Sequence, residues 1–214
     1  MASHLTDGVI HATTRAASLH WCIAQATKTD GALNGDGYLL KRDEDTLLFA
    51  LADGVGSGQL AHDASSACLR ILAASDDMDL PSLFETCHKQ LTSTRGAALG
   101  LVKFFLGQGF LEWAAVGDIE GCIYPIEPTI SRTISMMQRG GTLGHYFTGI
   151  TPQQHAWPPT SMLALCTDGV SRKFRERHPN DQAPREFADS CFNDFGRDND
   201  DRTLATFSWT QEGT

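Results

Sequence analysis

Residues 46–58 read TLLFALADGVGSG, and this stretch indicates the fold more strongly than any other part of the chain. Its first seven residues are mostly apolar and predict a buried strand, which the glycine-rich run beginning at Asp53 and Gly54 then ends. Beyond that run, apolar residues recur at helical spacing from Leu60 to Leu72, with polar residues between them. The stretch therefore predicts a strand, a sharp acidic turn and an amphipathic helix with one buried face.

The same pattern continues on both sides of this stretch. Strands are predicted before it at 19–26 and 37–41, and a second helix is predicted to begin at Pro81. Residues 1–18 show no strong periodicity and are expected to be a loosely ordered lead-in to a single domain over 19–210. Further strands are predicted at 97–106, 110–118, 121–126, 162–167 and 202–209, a helix between residues 184 and 195, and loops with short strands over 127–160.

Composition excludes several classes of protein. The chain has 214 residues and a formal net charge of −9, so it lacks the basic surface that a nucleic-acid or anionic-membrane partner requires. No apolar stretch approaches the roughly 20 residues that span a bilayer, and no secretory signal is visible at the N-terminus. The six cysteines lie among apolar neighbours and never as C-x-x-C, which favours reduced, buried thiols in a cytoplasmic protein.

Acidic residues stand where predicted strands end. Aspartate beside glycine lets a carboxylate and a backbone carbonyl turn toward one point, and hard divalent cations prefer such oxygen ligands. A pair of Mg²⁺ or Mn²⁺ ions about 3.5–4 Å apart can share a hydroxide that attacks phosphorus. The four motifs are NGDG (34–37), DGVGSG (53–58), DG (168–169) and DNDD (198–201).

Each motif also has a simpler interpretation. A single Asp-Gly pair is more often a turn than a metal ligand. The DGVGSG run resembles a phosphate-binding loop, but it lacks the lysine that would neutralise phosphate. The occurrence of four such motifs at strand ends in one short domain favours the metal site.

Seven segments, in order, resemble the bacterial metal-dependent serine/threonine phosphatases of the PPM (type 2C) class. Within that class they are most similar to the short, single-domain members of the SpoIIE-like group, which includes feedback phosphatases of the stressosome. The resemblance covers roughly residues 19–209. The segments are GDGYLL (35–40), LLFALADGVGSGQLAHDASSACLRIL (47–72), TRGAALGLVKF (94–104), AAVGDIEGCIY (114–124), GGTLG (140–144), LALCTDGV (163–170) and NDDRTLATF (199–207).

This resemblance implies an α+β fold, a four-layer αββα sandwich with two Mn²⁺ or Mg²⁺ ions at one edge of its two sheets. It also assigns the ligands. Asp36 and Asp53 would position the attacking water, with Asp53 bridging the ions and the Gly54 carbonyl contributing. Asp168 and Asp200 would complete the coordination of the second ion, with Asp198 and Asp201 as the alternatives to Asp200. Asp118, in Val-Gly-Asp, would bind a third, weaker ion or else belong to a hairpin turn.

The chain departs from the larger members of the class in two places. Gly35 precedes Asp36 where they carry an acidic residue, and no arginine lies between Arg15 and Asp36 to hold the phosphate. Arg15, Arg95 and Arg139 are the candidates for that role, and the sequence does not choose among them. Residues 138–159 are glycine-rich, lack apolar periodicity and are expected to form a mobile segment with few core contacts.

The predicted function is hydrolysis of phosphoserine or phosphothreonine by a metal-bound hydroxide, without a phosphoenzyme. No cysteine nucleophile in a C-x₅-R loop is expected. The substrate implied by the resemblance is a phosphorylated stressosome scaffold or anti-sigma antagonist protein in the cytoplasm. Two alternatives remain: a pseudophosphatase that binds a partner without turnover, and a phosphoesterase for small molecules.

Overall fold

The structure, a computed structural model, describes residues 4–29, 31–125, 133–159 and 161–211. In these ranges the chain forms two antiparallel sheets, three α-helices and one short 3₁₀ helix. The helices are α1 (Gln59–Ala74), α2 (Leu80–Gln90), α3 (Pro184–Phe195) and the 3₁₀ helix (Arg172–Glu176). The strands are β1 (His4–His11), β2 (Ala17–Ala26), β3 (Asp36–Asp43), β4 (Thr46–Gly54), β5 (Ala97–Phe105), β6 (Phe110–Val116), β7 (Glu120–Tyr124), β8 (Ile134–Met136), β9 (Gln153–Ala156), β10 (Met162–Cys166) and β11 (Arg202–Gln211).

Strand β4 shows why the sheets stack in layers. Successive side chains of a strand point to opposite faces, and in β4 both faces are buried. Phe49 and Leu51 pack in the core between the sheets, where the ring of Phe49 lies 4.9 Å from that of Phe207 in β11. Leu48 and Ala50 pack in a second core beneath α1 and α2. The continuous apolar run of β4 therefore results from burial on both faces.

The two sheets form the centre of a four-layer sandwich. The larger sheet has the strand order β1-β2-β11-β10-β7-β8, and the smaller has the order β3-β4-β5-β6-β9. Helices α1 and α2 cover the smaller sheet, and α3 covers the larger one, where Phe187 and Cys191 join its core. The layers run helix, sheet, sheet, helix, which confirms the predicted α+β αββα fold.

The N-terminal segment differs from expectation. Residues His4–His11 are not loosely ordered but form β1, which pairs with β2 along its whole length, from His4 opposite Gln25 to His11 opposite Ser18. Every residue of β1 is exposed or half-buried, and the strand is ordered by its backbone pairing with β2 together with the packing of Leu5 and Ile10 against the cores. An edge strand of this kind leaves little apolar periodicity to detect. The proposed domain limits, 19–210, remain a prediction, and residues 1–3 lie outside the described ranges.

The glycine-rich segment at 138–159 also differs from expectation. Leu143 is fully buried in the core beneath α1 and α2, and its backbone pairs with Ala97 at 3.0 and 3.2 Å. Phe147 packs against Phe84 of α2, with ring centroids 6.2 Å apart. Trp157 is also buried, in the core between the sheets, so the expectation of few core contacts is wrong. Residues 127–132 and 160 of the predicted loop region lie outside the described ranges.

The six cysteines are all buried and unpaired, as predicted. Burial raises the pKa of the Cys22 thiol to about 11, which keeps it protonated near neutral pH. Among the described residues, no helix is long and apolar enough to cross a membrane.

Candidate metal centre

The ends of four strands bring the predicted acidic residues to one edge of the sandwich. Asp36 begins β3 and Asp53 lies near the end of β4, where their Cα atoms are paired across the ladder. Asp168 follows β10 in the other sheet, and Asp200 precedes β11. The backbone of Thr167 donates to the carbonyl of Thr203 at 3.1 Å, which ties these last two loops together. The site therefore lies where the two sheets meet.

A pocket of about 220 Å³ opens at this edge. Four of the predicted ligands line it, and the remaining wall is formed largely by glycines and small side chains, which leave room for a ligand. The lining acids are Asp53, Asp118, Asp168 and Asp200, and the other lining residues are Val55, Gly56, Ala98, Gly117, Gly141 and Thr142.

Asp36 lies behind the pocket and is held by hydroxyl groups. Only 6% of this residue is exposed, and its Oδ2 accepts hydrogen bonds from Thr167 Oγ1 at 2.7 Å and Thr203 Oγ1 at 2.9 Å. Its backbone N–H donates to the side chain of Asn34 at 2.9 Å. Thr167 and Thr203 belong to the larger sheet, so they fix a carboxylate of the smaller sheet across the interface. This role was not predicted from the sequence, although both threonines lie within three residues of a predicted ligand.

The glycines beside the acids are required by close packing. A Cβ at Gly54 would lie 1.9 Å from the carbonyl oxygen of Ala61 in α1, so only glycine fits between β4 and that helix. A Cβ at Gly35 would lie 3.0 Å from Asp201 Oδ2 and 3.2 Å from the Ala61 methyl group. A side chain at position 35 would therefore require Asp201 or Ala61 to shift.

The structure separates the three candidate acids near residue 200. Asp200 lines the pocket. Asp201 is buried, and its carboxylate accepts from the backbone N–H groups of Lys28 at 2.8 Å and Gly35 at 2.7 Å, so it orders the loop before β3. Asp198 is exposed and forms an ion pair with Arg202 at 2.9 Å. Of the three, only Asp200 is a member of the pocket lining.

Burial and like charges shift these carboxyl groups in the same direction. Burial raises the pKa of Asp36 to about 7, although the hydrogen bonds from Thr167 and Thr203 partly oppose the shift. Burial, followed by the charge of Asp36, raises the pKa of Asp53 further still. Burial and the charge of Asp200 also raise the pKa of Asp168. A divalent cation would relieve this repulsion, which makes the cluster suited to one.

The donor set suits hard cations that keep part of their water shell. Among the described residues, no three His, Cys, Asp or Glu side chains form a group that could hold an ion by themselves. Mg²⁺ is commonly bound through one or two carboxylates and several waters, so a pocket lined by separate carboxylates fits this type of ion better than a closed protein cage. The position of Asp118 agrees with both of its interpretations, because this exposed residue follows the turn at Gly117 and also lines the pocket.

The candidate phosphate-binding arginines lie in different places. Arg15 donates to the carbonyl of Gly107 at 3.4 Å, in the β5–β6 turn at the opposite end of the smaller sheet. The backbone of Arg139 pairs with Ala115 and Gly117, beside the pocket. Arg95 lies against Gly56, which lines the pocket. Arg197, which the sequence analysis did not consider, lines a neighbouring pocket together with Asp118 and Asp168.

One cysteine does have the C-x₅-R spacing, contrary to expectation, since Cys166 is followed by Arg172. Cys166 is fully buried in β10, and burial raises the pKa of its thiol well above the ordinary value. Arg172 forms an ion pair with Glu120 at 2.7 Å. The expectation that no C-x₅-R spacing occurs is therefore wrong, but this motif provides neither an accessible thiolate nor a free arginine.

Comparison with known proteins identifies similar chains. No protein-family model matches the sequence. The phosphoserine phosphatase RsbX of Bacillus subtilis (strain 168) is 30% identical over 97 residues, which are 45% of this chain and 49% of RsbX. The match thus spans about half the length of that relative.

Solved structures match over nearly the whole chain. A crystal structure of RsbX in complex with magnesium has a TM-score of 0.81 at 21% identity, covering 96% of this chain and 100% of that one. The PP2C phosphatase domain of SpoIIE from Bacillus subtilis, solved with a fragment of its regulatory domain, has a TM-score of 0.73 at 16% identity, covering 99% of this chain and 71% of that one. These matches confirm the resemblance predicted from the sequence: the chain has the fold of the PPM-type (PP2C) phosphatases and is similar to RsbX in sequence and in structure.

Proposed function

We propose that this chain is a metal-dependent protein phosphatase that hydrolyses phosphoserine or phosphothreonine on a stress-signalling protein. The observation that carries the proposal is the pocket at the sheet edge, where Asp53, Asp118, Asp168 and Asp200 converge in front of the buried Asp36. Sequence similarity to the phosphoserine phosphatase RsbX supports the same chemistry. Asp36, Asp53, Asp168, Asp200 and the Gly54 carbonyl are the proposed ligands of two Mn²⁺ or Mg²⁺ ions, and Asp118 is the proposed ligand of a third.

When bound, divalent ions at this site would lower the pKa of a coordinated water and neutralise charge on the phosphoryl oxygens. The chain's own residues orient the site. Thr167 and Thr203 fix Asp36, Asp201 orders the loop that carries it, and Gly54 lets β4 approach α1 closely enough to place Asp53. The fixed positions of these groups before substrate arrives reduce the reorganisation that the reaction requires.

The proposed substrate is a phosphorylated regulatory protein of the stressosome or anti-sigma antagonist type, acting in the cytoplasm. This step rests on the similarity to RsbX and not on the pocket. The pocket of about 220 Å³ is small, so a protein substrate would place only its phosphorylated side chain there, and the surrounding surface would recognise the rest. No nucleic-acid or membrane partner is proposed, because the chain is strongly acidic.

The test compares three kinds of substrate with and without metal. We expect purified protein with Mn²⁺ or Mg²⁺ to hydrolyse a phosphoserine peptide and p-nitrophenyl phosphate, and EDTA to abolish both activities. A pseudophosphatase would bind the phosphoprotein without turning over either substrate. A phosphoesterase for small molecules would prefer a nucleotide or sugar phosphate to the phosphopeptide. Either result would contradict the proposal.

A further inference from the structure

We propose that Arg95 holds the phosphoryl group of the substrate, in place of the upstream arginine that this chain lacks. The inference rests on the proposed phosphatase function, and it answers a question that the sequence leaves open among three arginines.

Arg95 is fixed against the loop that carries the pocket. It lies in the connection between α2 and β5, and the carbonyl of the next residue, Gly96, accepts from the backbone N–H of Val55 at 3.0 Å. The guanidinium group lies directly over Gly56, because a Cβ on that glycine would be only 2.6 Å from Arg95 Nη1. Gly56 and Val55 both line the acidic pocket. The cation therefore lies at the rim of the proposed metal centre.

Gly56 is the residue that allows this position. It has a φ of +98°, a conformation that side chains other than glycine rarely adopt, and its missing side chain leaves space for the arginine. Any larger residue would displace the guanidinium group from the rim. The glycine-rich loop thus serves Arg95 as well as the acidic residues.

Arg95 is free to bind an anion. It is exposed, and it forms no ion pair with any carboxylate in the part of the chain that the structure describes. Six other arginines of this acidic protein do form such pairs. They are Arg42, Arg172, Arg175, Arg177, Arg185 and Arg202.

The other unpaired arginines near the pocket suit the role less well. Arg197 lines the neighbouring pocket with Asp118 and Asp168, so its side chain lies beside two proposed ligands. Arg139 lines a separate cavity together with Met137 and Ile150. An arginine that binds a ligand carboxylate competes with the metal, whereas one at the rim remains available to the phosphoryl oxygens.

The chemistry of arginine fits this task. The planar guanidinium group presents parallel N–H donors that match two phosphate oxygens, and such charge-assisted pairs are stronger than neutral hydrogen bonds. A phosphate monoester carries most of its charge on these oxygens. Arg95 would therefore bind and orient the phosphoryl group while the proposed metals act on it.

The experiment measures the binding of inorganic phosphate to Mn²⁺-loaded protein by calorimetry, independently of turnover. We expect Arg95→Ala to weaken phosphate binding by about 10- to 100-fold, the effect of losing hydrogen bonds between charged groups. Arg95→Lys should retain part of the phosphate affinity, because lysine keeps the positive charge but cannot form the bidentate pair of hydrogen bonds. Mn²⁺ binding should be unchanged in both variants. Arg15→Ala, at the opposite end of the sheet, is the control and should bind phosphate like the wild type.

Three results would overturn the inference: unchanged phosphate binding in Arg95→Ala, a loss of Mn²⁺ affinity in that variant, or a larger loss of phosphate binding in Arg197→Ala. Failure of the proposed function would look different. Wild-type protein would then bind Mn²⁺ and phosphate without hydrolysing the phosphopeptide, and the Arg95 variants would still report on phosphate binding.

Discussion

Asp36 and Asp53 face each other across the β3–β4 ladder, with their Cα atoms in register. Like charges placed directly opposite each other destabilise an antiparallel pair. Asp36 is buried and Asp53 is half-buried, so their repulsion is screened less than it would be in bulk water. The fold therefore keeps an arrangement that is unfavourable for the free protein and favourable for binding a cation.

The first prediction concerns the proposed bridging ligand. Asp53→Ala should lower the phosphatase rate by about a thousandfold or more, since losing the ions removes several kcal/mol of transition-state stabilisation. It should also remove most Mn²⁺ binding, measured by calorimetry, while circular dichroism shows an intact fold. Asp168→Asn and Asp200→Asn should have similar but weaker effects. Near wild-type rates for Asp53→Ala at saturating Mn²⁺ would contradict the ligand assignment.

The second prediction concerns the hydroxyl groups that hold Asp36. Thr203→Val removes a hydrogen bond to a buried carboxylate, which costs about 1.5–3 kcal/mol. Because the loss falls on a proposed ligand, Mn²⁺ affinity should fall by about tenfold, as it does when an outer partner of a metal ligand is removed. Thr206→Val is the matched control, since the hydroxyl of this buried threonine of the same strand donates to the backbone carbonyls of Cys22 and Pro184 and not to a proposed ligand. Equal Mn²⁺ affinities in the two variants would show that the hydrogen bond from Thr203 does not support metal binding by Asp36.

The third prediction concerns pH. In metal-free protein the pKa of Asp36 is raised to about 7 from an unfolded value near 4. Between these values the folded state binds more protons than the unfolded state, so this group's contribution to stability is present below pH 4 and is lost as the pH rises through 7. With EDTA present, the free energy of unfolding of the wild type should fall across this window relative to Asp36→Asn, measured by urea denaturation. Saturating Mn²⁺ should reverse the trend, because the deprotonated carboxylates bind the ion. If the free energy of unfolding has the same pH dependence in the wild type and in Asp36→Asn with EDTA present, the pKa of Asp36 is not raised in the folded protein.

The fourth prediction distinguishes the two interpretations of Asp118. If this residue holds a third ion, Asp118→Asn should lower turnover and raise the Mn²⁺ concentration needed for activity by about tenfold. The affinity for the two tightly bound ions should be unchanged. Asp198→Asn provides a control, because that aspartate is exposed and pairs with Arg202 outside the pocket. If the Mn²⁺ dependence is unchanged, Asp118 is simply part of a turn.

The fifth prediction concerns recognition of the protein substrate by the segment 138–159. Deleting part of it would disturb the buried Leu143, so a surface substitution tests recognition better. Tyr146 is 64% exposed, and its carbonyl accepts from the N–H of the pocket residue Thr142 at 2.8 Å. Tyr146→Ala should lower kcat/KM for the phosphoprotein by about tenfold or more, the usual loss for an aromatic interface anchor, and should spare p-nitrophenyl phosphate.

The control for that experiment is Val9→Ala, on the exposed edge strand β1. It removes apolar surface from another part of the molecule and should affect neither substrate. Equal losses on both substrates in Tyr146→Ala would show that this tyrosine supports the pocket itself.

The four layers were expected from the resemblance to the PPM-type phosphatases, whereas the residues themselves predicted a buried strand from the apolar run at 46–52. The sequence predicted the acidic pocket because the acids stand at strand ends, and all of them except Asp200 are beside a glycine. It did not predict β1, which pairs with β2, or the anchoring of the glycine-rich segment through Leu143 and Phe147. Nor did it predict that Thr167 and Thr203 hold Asp36. These features depend on contacts between distant residues, which leave no local pattern.

The hydrogen bonds from Thr203 and Thr167 to Asp36 join residues separated by 167 and 131 positions in the sequence. Strand β11, which follows Asp200 and carries Thr203, lies between β2 and β10 in the middle of its sheet. During synthesis on the ribosome, Asp36 would therefore emerge long before the groups that hold it. The proposed metal centre of a nascent chain would remain incomplete until residues 200–211 had been made and β11 had been inserted between β2 and β10. Activity would thus report that synthesis of the domain had reached its last strand.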